Sequence, residues 1–225
     1  LSYARGDYSL TVGRQAIDLE WLGDYNEAVV TGITAVADTS IVLGYTHRQA
    51  VAAEDEITKF TEFATKEGVY VLDIKNTSVE NLELNPYFYS ADKLADIYGL
   101  KATYENDMFA LVAHYVASNE DSNELGKTSD GSILNIEASS NLSGLALAAG
   151  YITTDEDVGT GSMSTLGDNI DVTDSIGDQV YAADADTFYA SVGYSVAGID
   201  LSAQYSDVEY ESTNKQASEI YLTAA

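Results

Sequence analysis

The chain has 225 residues and a formal net charge of −27, from 37 Asp plus Glu against 10 Lys plus Arg, and such a surface repels nucleic-acid phosphates. Cysteine is absent, which removes disulfides, thiolate metal sites and Cys nucleophiles. No apolar run approaches the ~20 residues of a membrane-spanning helix, while 45% hydrophobic content and 17 tyrosines exclude a disordered acidic tail.

Leu1 opens directly onto strand-like sequence, so residues 1–225 are expected to be one domain cut at both ends. After the turn Arg5-Gly6-Asp7, a charged glycine turn rather than an adhesion motif, Tyr8–Ile17 reads as a strand. The acidic segment Asp18–Glu27 follows. Ala28–Val36 and Ile41–Gln49 form a hairpin, and Ala52–Gly68 is a loop with helical spacing of Ile57, Phe60 and Phe63. Strands resume at Tyr70–Thr77, Leu82–Tyr89, Ile97–Tyr104, Phe109–Val116, Ile133–Ser139 and Leu145–Thr153. Thr154–Thr187 is the longest connection. Phe188–Tyr205 is a hairpin over Ala197-Gly198, and a last strand lies near Ser218–Ala225.

Read with a period of two, the Phe188–Tyr205 hairpin has one face of Ala, Val, Leu and Tyr and another of Ser, Gly, Asp and Gln. A dry sandwich core would carry bulkier aliphatics. Lipid on one side and water on the other fits this pattern. Connections also alternate between very short and longer ones along the whole chain, as in a barrel with turns at one end and loops at the other. Tyr45, Tyr115, Tyr151 and Tyr205 recur six to eight residues above the short turns, roughly 15–20 Å of height, and Tyr104 and Tyr194 sit close to those turns. Two aromatic girdles are predicted. The fold class is therefore all-β, a transmembrane antiparallel β-barrel of the porin type, with about thirteen strands visible of some sixteen to eighteen.

Gly13–Val51 (GRQAIDLEWLGDYNEAVVTGITAVADTSIVLGYTHRQAV), Asn85–Glu105 (NPYFYSADKLADIYGLKATYE) and Val158–Asp171 (VGTGSMSTLGDNID) resemble the major outer membrane porin of Campylobacter and its relatives. The resemblance implies an eighteen-stranded, homotrimeric general-diffusion channel that favours cations, with a calcium ion near its constriction. This chain would be the middle and C-terminal portion.

By strand parity the pore face carries Asp73, Lys75, Glu83, Lys101, Glu137 and Asp200, with Arg48 near the top of its strand. Acid in excess along a wet lumen concentrates cations. Asp18, Glu20 and Asp24 offer hard oxygen ligands of the kind calcium takes, although a solvated acidic loop is the favoured role for any single one of them. Thr154–Thr187, rich in Asp and without Lys or Arg, is expected to be a solvated extracellular loop; a fold narrowing the pore is the alternative. His47 and His114 lie on different strands without a nucleophile elbow, so no enzyme is expected. The expected protein is a non-enzymatic porin of a Gram-negative outer membrane, with lipid, a homotrimer, small hydrophilic solutes and cations as partners. It needs no cofactor beyond a possible calcium ion. A secreted or surface acidic calcium-binding adhesin is the alternative.

Overall fold

A computed structural model describes residues 1–51, 57–63, 66–121, 129–167, 170, 172–173, 175–211 and 215–224. The strands are β1 (Ser2–Arg5), β2 (Tyr8–Ala16), β3 (Tyr25–Ile33), β4 (Thr39–Ala50), β5 (Thr61–Glu62), β6 (Val69–Val79) and β7 (Leu82–Ala91). They continue as β8 (Ala95–Glu105), β9 (Ala110–Glu120), β10 (Ser132–Leu142), β11 (Leu145–Thr154), β12 (Asp186–Val196), β13 (Ile199–Tyr210) and β14 (Lys215–Ala224). Every neighbour pairs antiparallel in chain order, and the two-residue β5 pairs only with β4. Most strands run nine to twelve residues, the length expected of a barrel wall.

The alternation of connections holds except at 92–94, which is as short as the turns of the other end. One end has the turns at 6–7, 34–38, 80–81, 106–109, 143–144 and 197–198; the other has the segments 17–24, 51–68, 92–94, 121–131, 155–185 and 211–214. At Ser143-Gly144 and Ala197-Gly198 both turn residues have positive φ (55° and 86°, 53° and 82°), the geometry whose twist matches a two-residue hairpin. The predicted helical spacing in Ala52–Gly68 is corrected. Among the described residues of that stretch the only regular element is β5, Ile57 is exposed, and Phe60 and Phe63 face different surroundings. The three-residue spacing belonged to a chain packing over β4, not to a helix.

Side chains alternate between two faces. On the outer face, Tyr70, Leu111, Ile136, Phe188, Val192, Leu201 and Ile220 are all at least 40% exposed, an apolar surface wrapping the sheet. Soluble monomers rarely expose apolar patches beyond a few hundred Å². The inner face holds Val71, Tyr87, Ile97, Val116, Ile133, Ile152 and Tyr189, buried with residues of the long connections. That arrangement requires curvature. Gly167, between β11 and β12, approaches Trp21, between β2 and β3, so closely that a Cβ on it would lie 2.9 Å from the Trp21 carbonyl carbon. In a flat sheet the seven inter-strand steps from β3 to β11 span about 34 Å. The sheet curls, and the connections meet inside it.

Two tyrosines lie flat across glycines on this inner wall. Tyr87 pairs with Gly99 and Tyr189 with Gly150, each ring passing over the glycine toward the strand beyond. A Cβ on either glycine would sit 2.3 Å from the phenol carbon and oxygen. Gly99→Ala or Gly150→Ala should therefore displace a buried ring and destabilise the fold by about 1–3 kcal/mol. A lowered thermal unfolding midpoint in detergent checks this.

Candidate pore lumen

The β2–β3 connection makes a miniature hairpin. Leu19 and Leu22 exchange both backbone hydrogen bonds, at 3.0 and 3.3 Å, and the Ile17 N–H donates to the Asp24 carbonyl at 2.9 Å. Glu20 and Trp21 are left at its tip, where Trp21 reaches β7, three strand steps beyond β3, and Glu20 reaches β8, four steps beyond. Trp21, fully buried, donates its indole N–H to the Tyr87 hydroxyl at 3.0 Å. Tyr87 in turn faces His114 Nε2 at 2.7 Å. The indole can only donate, so the Tyr87 O–H is free to donate to Nε2, which leaves the proton of a neutral ring on Nδ1. Glu20 lies 4.0 Å from that Nδ1 and accepts from Lys101 Nζ at 3.1 Å on each oxygen.

The β11–β12 connection crosses the same space. Its apolar residues Met163, Leu166, Ile170, Val180 and Tyr181 are buried, and the Tyr181 ring meets Trp21 edge-on at 6.2 Å. Backbone donors tie down both ends. The Ser162 N–H donates to Glu120 at 2.9 Å, and the Ser175 and Ile176 N–H groups donate to Glu219 at 2.8 and 3.2 Å. Gln204 on β13 holds the Val172 carbonyl. The expectation of a solvated outer loop is thus corrected: its apolar residues, spaced between the acids, form the filling of the barrel interior. Asp168, Asp171 and Asp174 lie outside the described residues. Beyond this filling, toward the short turns, an open cavity of about 800 Å³ remains, walled by small polar residues such as Ser139, Ser191 and Ser202.

Lys75, Glu83, Lys101, Glu137 and Asp200 stand on the inner face. Lys101 is engaged with Glu20, and Glu137 accepts from Tyr189 at 2.8 Å. Asp200 accepts from Ser195. Asp73 is inward but 1% exposed, accepting from Asn85 at 2.9 Å and Tyr89 at 3.1 Å, so it is sealed in the wall instead of lining open lumen. Arg48 is a clear correction. A bulge between Glu27 and Ala28 sets Arg48 opposite Glu27, whose neighbours Tyr25 and Val29 face outward. Arg48 pairs there with Glu27 at 3.2 Å, beside Arg14 at 2.9 Å from the same carboxylate. Unbroken alternation had put it inside.

Asp18, Glu20 and Asp24 are not gathered. Among the described residues no three His, Asp or Glu groups converge at metal distance, and both Glu20 oxygens face an ammonium group. These residues do not fit a calcium site. The tyrosines behave differently: Tyr104, Tyr115, Tyr151, Tyr194 and Tyr205 are exposed on the outer face, and Tyr45 is half-buried against Tyr70. Sequence reading missed their companions Tyr70, Phe88, Tyr98 and Phe188, although register sets Tyr70 beside Tyr45, Phe88 beside Tyr98 and Phe188 beside Tyr151. It also missed Trp21, the chain's single tryptophan, whose signal was its rarity within an acidic segment.

Solved structures share this fold. OccAB4 of Acinetobacter baumannii superposes with a TM-score of 0.77 at 15% identity, over 98% of this chain and 63% of that one. OccK7 (OpdD) of Pseudomonas aeruginosa gives 0.76 at 12% identity, over 99% and 65%. OccAB2 of Acinetobacter baumannii gives 0.80 at 12% identity, over 98% and 63%. The fold is that of an outer-membrane porin barrel. This chain spans a little under two thirds of the length of those three. No protein-family model matches it, and no curated protein is significantly similar in sequence.

Two outcomes follow from the anchoring. Trp21→Ala removes a fully buried indole and its hydrogen bond, which should cost about 3–5 kcal/mol and expose residues 17–24 to limited proteolysis in detergent. Outside the strands, the hydrogen bond from Lys93 holds the Glu67 carboxyl below its ordinary 4.5, tying the β5–β6 and β7–β8 connections together. A depressed carboxyl stabilises the contact above its unfolded value and loses it as pH falls through the folded one. Protection of the Lys66 amide, which donates to the Phe63 carbonyl at 2.8 Å, should therefore fall relative to the intrinsic exchange rate on acidification below about pH 4.5, and Lys93→Met should remove that dependence.

Proposed function

We infer that this chain forms most of the wall of an outer-membrane porin, a passive channel for ions and small hydrophilic solutes in a Gram-negative outer membrane. The observation that carries this reading is the inverted polarity of the sheet. Its outer face is apolar and banded by tyrosines, while its inner face is apolar where two connections fill it and polar beside the open space that remains. A secreted acidic adhesin leaves the outer face without a suitable solvent. The ordered words in Gly13–Val51, Asn85–Glu105 and Val158–Asp171 support a relationship to the Campylobacter major porin, hence an eighteen-stranded homotrimer.

Cation preference is the finer part of the proposal. It is supported by the net charge of −27 and by inward Glu83, Glu137 and Asp200. Inward Lys101 is offset by Glu20, so it contributes little opposing field. Reconstitution of the full-length protein in a planar bilayer under a salt gradient tests both parts. Stepwise currents with a cation-selective reversal potential are expected, and Asp200→Lys should shift that potential toward the anion side. Folded, inserted protein that passes no current overturns the channel reading. An unchanged potential removes Asp200 from the conduction path.

A further inference from the structure

Beside the Trp21 bracket lies a second cavity, of about 190 Å³, in the angle between the β2–β3 hairpin and the wall. Its floor is Val30, Val42, Gly44 and Val71 on the inner face of β3, β4 and β6; its roof is Ile17, Leu19 and Leu22. An apolar cavity of about 150 Å³ admits benzene, so this one takes a group of about six carbons. A lumen wall that serves only bulk diffusion of hydrophilic solutes has no use for an apolar recess of this size. At its rim stands Asp18, exposed and, among the described residues, without a hydrogen bond or ion pair. Lys75 is placed by register one inward row past Val42, toward the short turns, which disfavours a cationic group at that end.

We propose that this recess is a binding site for small organic cations bearing an apolar tail, the tail on the valine floor and the ammonium group at Asp18. The proposal rests on the channel reading for access to the site, and it gives the lumen a selective station in addition to its field. Burial of each methylene is worth about 0.8 kcal/mol, or roughly fourfold in affinity. The carboxylate supplies the charge term, and Gly44 sets the depth of the floor. A Cβ there would meet the Val29 carbonyl and Val30 at 3.6 Å and Val71 at 3.7 Å, ordinary contact distances, so a side chain enters the recess here without strain at its first carbon.

The test uses the full-length protein and the n-alkylammonium series from ethyl to hexyl, with two readouts. One is block of the sodium current in a planar bilayer. The other is fluorescence of Trp21, the chain's single tryptophan and neighbour of Leu22 in the roof, titrated in detergent. Affinity should rise about two- to fourfold per carbon and level off when the recess is full. Gly44→Val should bring the plateau to shorter tails, and Asp18→Asn should weaken every member several-fold while keeping the slope. Equal affinity for all lengths in both readouts overturns the site, as does a slope that Gly44→Val leaves intact. Fluorescence binding with this pattern but no current from inserted protein upholds the site and overturns the channel reading. Current with a flat series does the reverse.

Discussion

One hydrogen bond carries much of the interior: the Trp21 indole N–H on the Tyr87 hydroxyl. It fixes the β2–β3 hairpin against the wall three strands away, at β7, and it sets the direction of donation onward to His114. The bond is available because Tyr87 lies flat over Gly99, which puts its hydroxyl within reach of both partners. The indole then offers a face and edge to Tyr181, and its backbone meets Gly167. Two connections that are remote along the sheet thus become one packed body. A buried polar chain of this kind is stable only when each member has a partner, and here the sequence supplies indole, phenol, imidazole, carboxylate and ammonium in order.

The same barrel wall is solved differently on its two sides. Outward, exposed valine, leucine and tyrosine give a surface with no need of specific partners. Inward, Lys101 is paired with Glu20, while Asp73 accepts hydrogen bonds from Asn85 and Tyr89, and Glu137 accepts one from Tyr189. On the proposed channel reading, the field that a permeant ion would meet depends on fewer residues than parity counts. Glu83, Lys75 and Asp200 weigh more in it than Asp73 does.

Much of this was legible beforehand. Period-two patterning identified nearly every strand, and turn chemistry such as Ala197-Gly198 identified the short end. The tyrosine heights placed the outer face. Reading failed at Arg48, because a single bulge at Glu27/Ala28 reverses the phase of everything beyond it, and bulges leave no mark in composition. It failed at Asp73 too, since parity tells inward from outward but not open lumen from packed filling. Asp18, Glu20 and Asp24 looked like one set by proximity along the chain, yet Glu20 sits at a hairpin tip and spends its charge on a strand far away in sequence.

The sequence by itself determined the wall: strand number and length, which residues face out wherever no bulge intervenes, and at which end the long connections lie. These are consequences of local alternation and turn geometry, and they need no knowledge of distant residues. Only the tertiary structure decided where the connections go. Whether Thr154–Thr187 stands in solvent or fills the barrel depends on its buried Met163, Leu166, Ile170 and Val180 finding apolar partners across the lumen, on Trp21, Leu22 and the far wall. Contacts of that range arise when the sheet curls, and curvature is a property of the assembled sheet, not of any one strand.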